Sequence, residues 1–289
     1  MYRAQPEIYI STGAFKSRDI DAILDTCISE NIVNLELSSG VESTEGLLPK
    51  VKEFFEKPMR YLVHNYFPPP QKAFVLNLGS LDTETLTRSK EHCRHAIDLA
   101  VEFGAPFYSV HAGAAMRARP EDLGRPLTHL AIDSVDDAYN VFVESVRELA
   151  EYAGARGIKF LIENHVVAPF NLVNGKNRIL FASTGEEIRR LANDVGSPHL
   201  QILLDVGHLK VTAKSLHLNA YQAIEKVSDL IAAFHLSDND GDSDQNLPFS
   251  SDAWFMPILK DFRKATYIIE AYNLDVKTIR ACEDALAKL

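Results

Sequence analysis

The sequence predicts an α/β fold, a single (β/α)8 TIM barrel, for this 289-residue chain. Short apolar runs rich in β-branched and aromatic residues alternate eight times with longer runs of helical periodicity. Eight βα units in a chain of this length are what the barrel requires. Neither a linker nor a low-complexity segment divides the chain, so we expect one domain over residues 1–289.

Each predicted strand is followed by a segment with helical periodicity, as a βα unit requires. The strands are EIYISTGAF (7–15), IVNLELSS (32–39), MRYLVHNYF (59–67), PFYSVHAG (106–113), KFLIENHV (159–166), LQILLDVGHL (200–209), IAAFHLSD (231–238) and ATYIIEAYN (265–273). The helical segments after them contain, in the same order, RDIDAILDTC, LLPKVKEFFEK, TETLTRSKEHC, VDDAYNVFVES, TGEEIRRLAND, NAYQAIEKVSD, DAWFMPILKDF and DVKTIRACEDA.

Helix boundaries carry their usual signals. Thr184 and Glu187 have the spacing of a capping box before the fifth helix. Gly104, Gly157 and Gly196 stand where helices end, as glycines in the left-handed conformation do. An open doubly wound sheet is the alternative to the barrel, but no glycine-rich phosphate loop follows the first strand to support it.

The composition disfavours several classes of partner. A formal net charge of −10 disfavours nucleic acid, although a local basic groove is compatible with it. No apolar stretch approaches the ~20 residues of a membrane span, and the N-terminus has no signal-peptide core. Cys27, Cys93 and Cys282 form no CxxC motif and are expected to be reduced packing residues of a cytoplasmic protein. The oligomeric state stays open, and a homo-oligomer is compatible with the sequence.

Six predicted strands end in a side chain that can bind a metal ion. Each follows an apolar run, in YLVH, YSVH, FLIE, ILLD, AAFH and YIIE. In a barrel these strand ends meet at the mouth where active sites are built. Buried carboxylates that converge on one axis need a cation between them. The mixture of carboxylate and imidazole suits Zn, Mn, Fe or Co better than Ca or Mg, and the six residues are His64, His111, Glu163, Asp205, His235 and Glu270.

Three further residues point toward the same mouth. His208 stands three residues after Asp205 and can reach the same cavity. Glu36, on the second strand, would either contact substrate or orient a metal ligand. His165 would either contact substrate or pack. The remaining histidines are assigned no role: His92, His95, His129, His199 and His217.

The acidic run HLSDNDGDSDQN (235–246) is not an EF-hand. Such a loop needs Gly at its sixth and Glu at its twelfth position, but counting from Asp238 gives Ser243 and Phe249. We expect Asp244 to be a metal ligand or a partner of one. The other aspartates are expected to be turn residues, with ligand orientation as the alternative for the first: Asp238, Asp240 and Asp242.

The motifs IENH, LLDVGH, FHLSDNDGDSDQNLP and YIIEAY, in this order, resemble the xylose isomerase-like TIM barrels over essentially the whole chain. That superfamily contains sugar and sugar-phosphate isomerases and epimerases, and also endonuclease IV-type AP endonucleases. For the epimerase branch the resemblance implies that Glu163 and Glu270 transfer protons beside a carbonyl and that His208 binds a substrate hydroxyl. It also implies one divalent ion held by Glu163, Asp205, His235 and Glu270.

For the endonuclease branch the resemblance implies three zinc ions. The stretch VHNYFPPPQKAFVLNLGS is similar to that branch, and His64 and His111 would form a second site that shares Glu163. The third site would need His208, Asp244 and a histidine at position 246. This chain has Asn246 there, and it has PFSSDAW in place of the GEG that commonly follows in both branches.

A metal-dependent sugar or sugar-phosphate isomerase or epimerase is therefore the favoured function. An endonuclease IV-like zinc phosphoesterase is the alternative, which His64 and His111 favour and Asn246 and the net charge of −10 disfavour. A polyol or keto-sugar dehydratase would use the same cation and bases. A barrel that only binds ligands would not need both Glu163 and Glu270. We expect one or two divalent ions per chain, drawn from Zn, Mn, Co and Fe.

Specificity is expected to come from the loops at 112–135, 166–183 and 238–253. The first contains MRARPEDLGR, with Arg117, Arg119 and Arg125. A guanidinium group binds phosphate or carboxylate through paired hydrogen bonds. Arg117 is thus predicted to bind an anionic group of the substrate, and a solvated surface loop is the alternative.

Overall fold

The structure is a computed structural model that describes residues 7–42, 44–54, 59–122, 124–127 and 129–289. Its strands are β1 (Ile8–Ser11), β2 (Asn34–Leu37), β3 (Arg60–His64), β4 (Phe107–His111), β5 (Lys159–Glu163), β6 (Leu200–Asp205), β7 (Ile231–Leu236) and β8 (Thr266–Ile269). Each strand pairs in parallel with the next, and β8 pairs with β1 to close the barrel. The predicted (β/α)8 TIM barrel is confirmed.

At least one helix separates each strand from the next. The helices are α1 (Ile20–Ser29), α2 (Leu47–Glu53), α3 (Thr83–Glu102), α4 (Val135–Gly154), α5 (Gly185–Val195), α6 (Val206–Ser215), α7 (Ala220–Val227), α8 (Met256–Leu259) and α9 (Val276–Leu286). Two helices, α6 and α7, follow β6. The end of the second predicted helix, 55–57, lies outside the described residues.

The predicted capping box and the three predicted glycine helix ends are confirmed. The Thr184 hydroxyl accepts a hydrogen bond from the Glu187 backbone, and the Glu187 carboxylate accepts one from the Thr184 backbone, which completes the capping box of α5. Gly104, Gly157 and Gly196 follow α3, α4 and α5 with φ of 68°, 81° and 64°. That left-handed conformation is accessible to glycine without steric cost, so these positions end the helices.

Every predicted strand runs past the observed one, and two predicted elements differ from the structure in a way that matters for the site and its loops. The sixth strand, predicted over 200–209, ends at Asp205, and α6 begins at Val206. Asp205 Oδ1 accepts a hydrogen bond from the His208 backbone N–H at 2.7 Å, so the last strand residue also caps the helix. The apolar run VGHL fits a buried helix as well as a buried strand, so periodicity did not show this boundary. The helix predicted in DAWFMPILKDF is likewise reduced to α8.

The barrel wall is buried on both faces, which explains why its strands are apolar almost throughout. Tyr61 on β3 and Phe234 on β7 are among the largest fully buried side chains. The three cysteines are free and buried within α1, α3 and α9, as expected for packing residues. Within the described ranges, none of the helices combines the length and the apolar character that crossing a membrane would require.

Candidate metal centre and active site

The side chains predicted at the strand ends lie together at the C-terminal mouth of the barrel. Parallel pairing places Asp205 beside His235 and His111 beside Glu163. All of the group except His111 are buried. Four are the last residues of β3 to β6, one is the next-to-last residue of β7, and one directly follows β8: His64, His111, Glu163, Asp205, His235 and Glu270.

Four of these residues form what we call the four-ligand cluster: Glu163, Asp205, His235 and Glu270. Each offers one oxygen or nitrogen atom, and these four atoms lie within 4.8 Å of one another. His235 Nδ1 is 2.7 Å from Glu270 Oε2 and 3.2 Å from Glu163 Oε1. The spacing can accommodate a cation among the four side chains.

The buried, unpaired oxygens of the cluster are chemically suited to bind a cation. Glu163 Oε2 and Asp205 Oδ2 are buried and have no hydrogen-bond partner in the part of the chain that the structure describes. Burial raises the pKa of Asp205 to about 7, and the charges of Glu163 and Asp244 add to the rise. Buried carboxylate oxygens without donors are costly unless a positive charge compensates them. Three carboxylates and one imidazole suit Mn, Zn, Co or Fe.

Glu36, on β2, contacts Nε2 of His235, whereas Glu163 and Glu270 contact its Nδ1. Its Oε2 is 3.0 Å from His235 Nε2, and both side chains are fully buried. Burial by itself would lower the pKa of His235, but the charges of Glu270 and Glu36 hold it well above its ordinary value. A carboxylate that binds one ring nitrogen directs the other toward a metal. This geometry favours the orienting role for Glu36 over the substrate contact.

The residues of the predicted second metal site also come together. His64 Nε2 and His111 Nε2 lie 3.3 and 3.6 Å from Glu163 Oε2. The other ring nitrogen of His64, Nδ1, is 2.9 Å from Ser109 Oγ, and this contact holds the ring in orientation. Burial lowers the pKa of His111 to about 3, so the ring is neutral at pH 7, which is the state that binds metal. Glu163 therefore stands between two groups of potential ligands.

His208 and Asp244, predicted for a third site, are in contact. His208 Nε2 is 3.2 Å from Asp244 Oδ2, and its Nδ1 is 2.8 Å from the carbonyl oxygen of Asn164. Asn246 Nδ2 donates a hydrogen bond to the same Asp244 oxygen at 3.2 Å. The amide nitrogen of Asn246 thus faces Asp244, where the endonuclease branch would have a ligating imidazole.

Two residues of the site were not singled out from the sequence. The Asn164 side chain accepts a hydrogen bond from the Asp205 backbone at 2.7 Å and donates one to its carbonyl oxygen at 3.1 Å. Tyr272 Oη donates to Glu270 Oε1 at 3.3 Å. Both residues lie inside quoted motifs, IENH and YIIEAY, and the spacing of Tyr272 two residues after Glu270 was the available signal.

A cavity of about 680 Å³ opens beside the cluster. His111, His165 and His208 line its inner end. The ring of His165 stacks on that of His111 at 6.0 Å, and burial lowers the pKa of His165 to about 4, so this ring is neutral as well. His165 is therefore placed to meet a ligand, and its predicted substrate contact stays a prediction.

The predicted arginine contact is only partly favoured by the geometry. Arg117 and Arg125 line the cavity. The Arg117 side chain is 60% exposed, and its Nε donates to Asp133 Oδ1 at 3.2 Å. Because Asp133 already binds this guanidinium, an anionic substrate group would have to share it or displace Asp133.

The acidic run after His235 consists mostly of turn residues. Asp240 Oδ1 accepts a hydrogen bond from the Asp242 backbone at 2.8 Å. Asp242 pairs with Lys214 Nζ at 2.7 Å, and Asp238 pairs with Lys210 Nζ at 2.6 Å. The carboxylate of Asp238 thus binds a lysine, which favours the turn role over ligand orientation.

Residues 41–284 match the family model described as "Xylose isomerase-like TIM barrel". The chain belongs to this family. The match confirms the resemblance found in the sequence motifs and includes every residue of the four-ligand cluster.

Proteins similar to this member of the family have been described in several organisms. An uncharacterized protein of Methanocaldococcus jannaschii is 23% identical over 217 residues, which are 74% of this chain and 73% of the relative. A D-tagatose 3-epimerase-like protein has a similar structure, with a TM-score of 0.72, 20% identity and 97% of each chain covered. The apo form of 3-keto-D-glucoside 4-epimerase from E. coli is also similar, with a TM-score of 0.68, 17% identity and 98% of each chain covered. A protein of Thermus thermophilus, soaked with ZnCl₂, has a TM-score of 0.66 and 16% identity, with 98% of this chain and 99% of that chain covered.

We predict that a divalent cation stabilises the native protein and stabilises Asp205→Asn far less. In chelator the variant should be at least as stable as the native chain, because an amide replaces a buried carboxylate that lacks a donor. With Mn²⁺ at about 100 times its dissociation constant, the native chain should gain about 2.7 kcal/mol. Thermal unfolding in EDTA and in Mn²⁺ measures both effects.

The matched control is Asp25→Asn, which alters an exposed carboxylate on α1. It should respond to Mn²⁺ as the native chain does. Equal metal-induced shifts in Asp205→Asn and in the native chain would contradict the assignment of Asp205 as a ligand.

Proposed function

We propose that the protein is a divalent-metal-dependent isomerase or epimerase that acts on a sugar or sugar phosphate. The observation that carries the proposal is the placement of Glu163 and Glu270 around one imidazole nitrogen, 3.2 and 2.7 Å from His235 Nδ1. Two carboxylates at one centre suit proton removal and proton return at carbon. The printed names of two similar structures, a D-tagatose 3-epimerase-like protein and 3-keto-D-glucoside 4-epimerase, support a sugar substrate.

Glu163, Asp205, His235 and Glu270 would hold the cation. A bound Mn, Zn, Co or Fe ion supplies Lewis-acid polarisation of the substrate carbonyl, which acidifies the neighbouring C–H bond. Glu36 Oε2 and the Asn164 side chain keep the ligand set in place, because one binds His235 and the other binds the Asp205 backbone. The ligands are thus positioned before substrate arrives.

Glu163 and Glu270 would exchange the proton. One carboxylate removes the proton from the carbon beside the carbonyl, and the other returns a proton to the opposite face, which inverts the centre. Return to the neighbouring carbon would instead give isomerisation. The Tyr272 hydroxyl donates to Glu270 Oε1 and so holds that carboxylate in orientation. His208 lines the cavity, and its Nδ1 is bound to the carbonyl oxygen of Asn164. Its Nε2 faces Asp244 at 3.2 Å, so a substrate hydroxyl would bind this nitrogen by sharing it with Asp244 or by displacing that carboxylate.

A zinc phosphoesterase is the second candidate, and one observation favours it: His64 and His111 converge on Glu163 Oε2 at 3.3 and 3.6 Å. A multi-zinc centre would use this second group of ligands. Against it stand Asn246, whose amide faces Asp244, and the net charge of −10. A keto-sugar dehydratase would use the same bases as the first candidate, and product analysis separates the two.

We predict that Glu270→Gln lowers turnover by about 10²–10⁴-fold, because an amide cannot carry the transferred proton. The assay is NMR in D₂O with a panel of aldoses and keto-sugars, free and phosphorylated, which reports both epimer formation and deuterium at carbon. Glu225→Gln, an exposed change on α7, is the control and should leave turnover unchanged. Native-like epimer formation by Glu270→Gln would show that Glu270 is not a base.

We predict one or two tightly bound metal ions per chain and at most trace cleavage of abasic-site DNA. The first ion belongs with the four-ligand cluster, and a second would bind His64 and His111 and share Glu163. A third would have only His208 and Asp244 as strong ligands, which is a weak site for zinc. Elemental analysis after gel filtration, together with an abasic duplex assay, measures both outcomes. Three zinc equivalents with brisk cleavage would establish the phosphoesterase instead.

A further inference from the structure

The outer part of the cavity has apolar walls that proton transfer does not require. The loops after β3, β4 and β5 build these walls, and the side chains that define this apolar chamber are Tyr66, Phe74, Leu76, Met116, Leu127 and Phe170. The chamber is continuous with the inner end, where His111, His165, His208 and Asp244 line the same cavity. Because His111 and His208 each lie 3.6 Å from a Glu163 oxygen, a ligand in the chamber would reach the edge of the four-ligand cluster.

Two amide side chains in the chamber wall bind the loop backbone. Asn77 donates to the carbonyl oxygens of Ala114 and Met116 at 2.8 and 3.3 Å, and its Oδ1 accepts from the Ala114 backbone. Asn171 Oδ1 accepts from the Leu127 backbone at 2.9 Å. Asn77 and the Oδ1 atom of Asn171 therefore hold the loops in place rather than bind a ligand.

The Tyr66 hydroxyl in the wall also binds the backbone. The Tyr66 hydroxyl accepts a hydrogen bond from the Phe74 backbone at 2.7 Å, and the two rings lie 5.4 Å apart. Arg88 lies over the Phe74 ring, with its guanidinium carbon 4.2 Å from the ring centroid. Tyr66 and Phe74 therefore present a fixed aromatic surface to the chamber.

The size and the polarity of the cavity together restrict what can fill it. At about 680 Å³ it lies within the range of sites for drug-sized ligands, so a single sugar at the inner end leaves the chamber empty. A second sugar there would bury hydroxyls against these apolar side chains, where Asn77 and Asn171 Oδ1 already bind the backbone, which is costly. An apolar group incurs no such cost and gains by leaving water.

We propose that the chamber binds an apolar substituent, aromatic or alicyclic, attached to the sugar on which the protein acts. The substrate is then a glycoside-like conjugate rather than a free monosaccharide. For the sugar end the inference rests on the proposed function. The hydroxyl-bearing end lies at the four-ligand cluster and His208, and the apolar end lies between Phe74, Met116 and Phe170.

Calorimetric binding to the full-length protein tests the proposal with matched pairs of probes. The probes are the methyl and phenyl glycosides of glucose, galactose and xylose, together with the corresponding sugar phosphates. For at least one sugar, the phenyl glycoside should bind about tenfold or more tightly than the methyl glycoside, because an aromatic ring is buried. Phe170→Ala should weaken the phenyl glycoside by about fivefold and leave the methyl glycoside unchanged.

Phe170 suits this test because its side chain is 43% exposed, so truncation spares the core. Leu218→Ala is the control, since Leu218 is 44% exposed and lies outside the cavity. The inference is wrong if no phenyl glycoside binds more tightly than its methyl partner, if Leu218→Ala weakens phenyl binding as much as Phe170→Ala, or if only sugar phosphates bind. Phenyl binding that depends on Phe170, without epimerisation of any sugar, would instead refute the proposed function and keep the chamber assignment. Rapid turnover of free sugars without a preference for phenyl glycosides would keep the proposed function and refute the chamber assignment.

Discussion

The site depends on one constraint, the burial of several carboxylates at a single point of the barrel mouth. Glu163 and Asp205 are fully buried, and each has an oxygen without a hydrogen-bond donor among the described residues. Glu36 and Glu270 approach the same histidine, His235, from different sides. Such an arrangement is costly in a protein unless positive charge compensates it. The imidazoles supply part of that charge, and a divalent cation would supply the rest.

The barrel provides the rigidity that this arrangement needs. Of the six strand-end side chains at the mouth, four are the last residues of the neighbouring strands β3 to β6, so parallel hydrogen bonding sets their spacing. The loops can then vary without moving them. Asn77 and Asn171 brace two of these loops through backbone contacts, which leaves apolar side chains to shape the chamber. Chemistry and specificity thus reside on separate parts of the fold.

The sequence predicted the barrel and the residues at its mouth because both follow local rules. An apolar strand that ends in one ionisable residue is visible in FLIE or ILLD, and a barrel of eight parallel strands implies where the strand ends meet. The start of α6 at Val206 was not visible, because its apolar run fits either element. Nor was the wall contributed by Phe74 and Leu76, since loop packing depends on contacts between distant segments. The hydrogen bonds between Asn164 and Asp205 were missed for the same reason, whereas the contact of Tyr272 with Glu270 is local and its spacing was a signal that was not used.

The central claim is that the four-ligand cluster holds a divalent cation. Crystals grown with Mn²⁺ and measured at the manganese absorption edge test it most directly. The account predicts one strong anomalous peak at about 2.0–2.4 Å from an atom of each of Glu163, Asp205, His235 and Glu270. A cluster without a peak, or a peak bound only by His64 and His111, would contradict it.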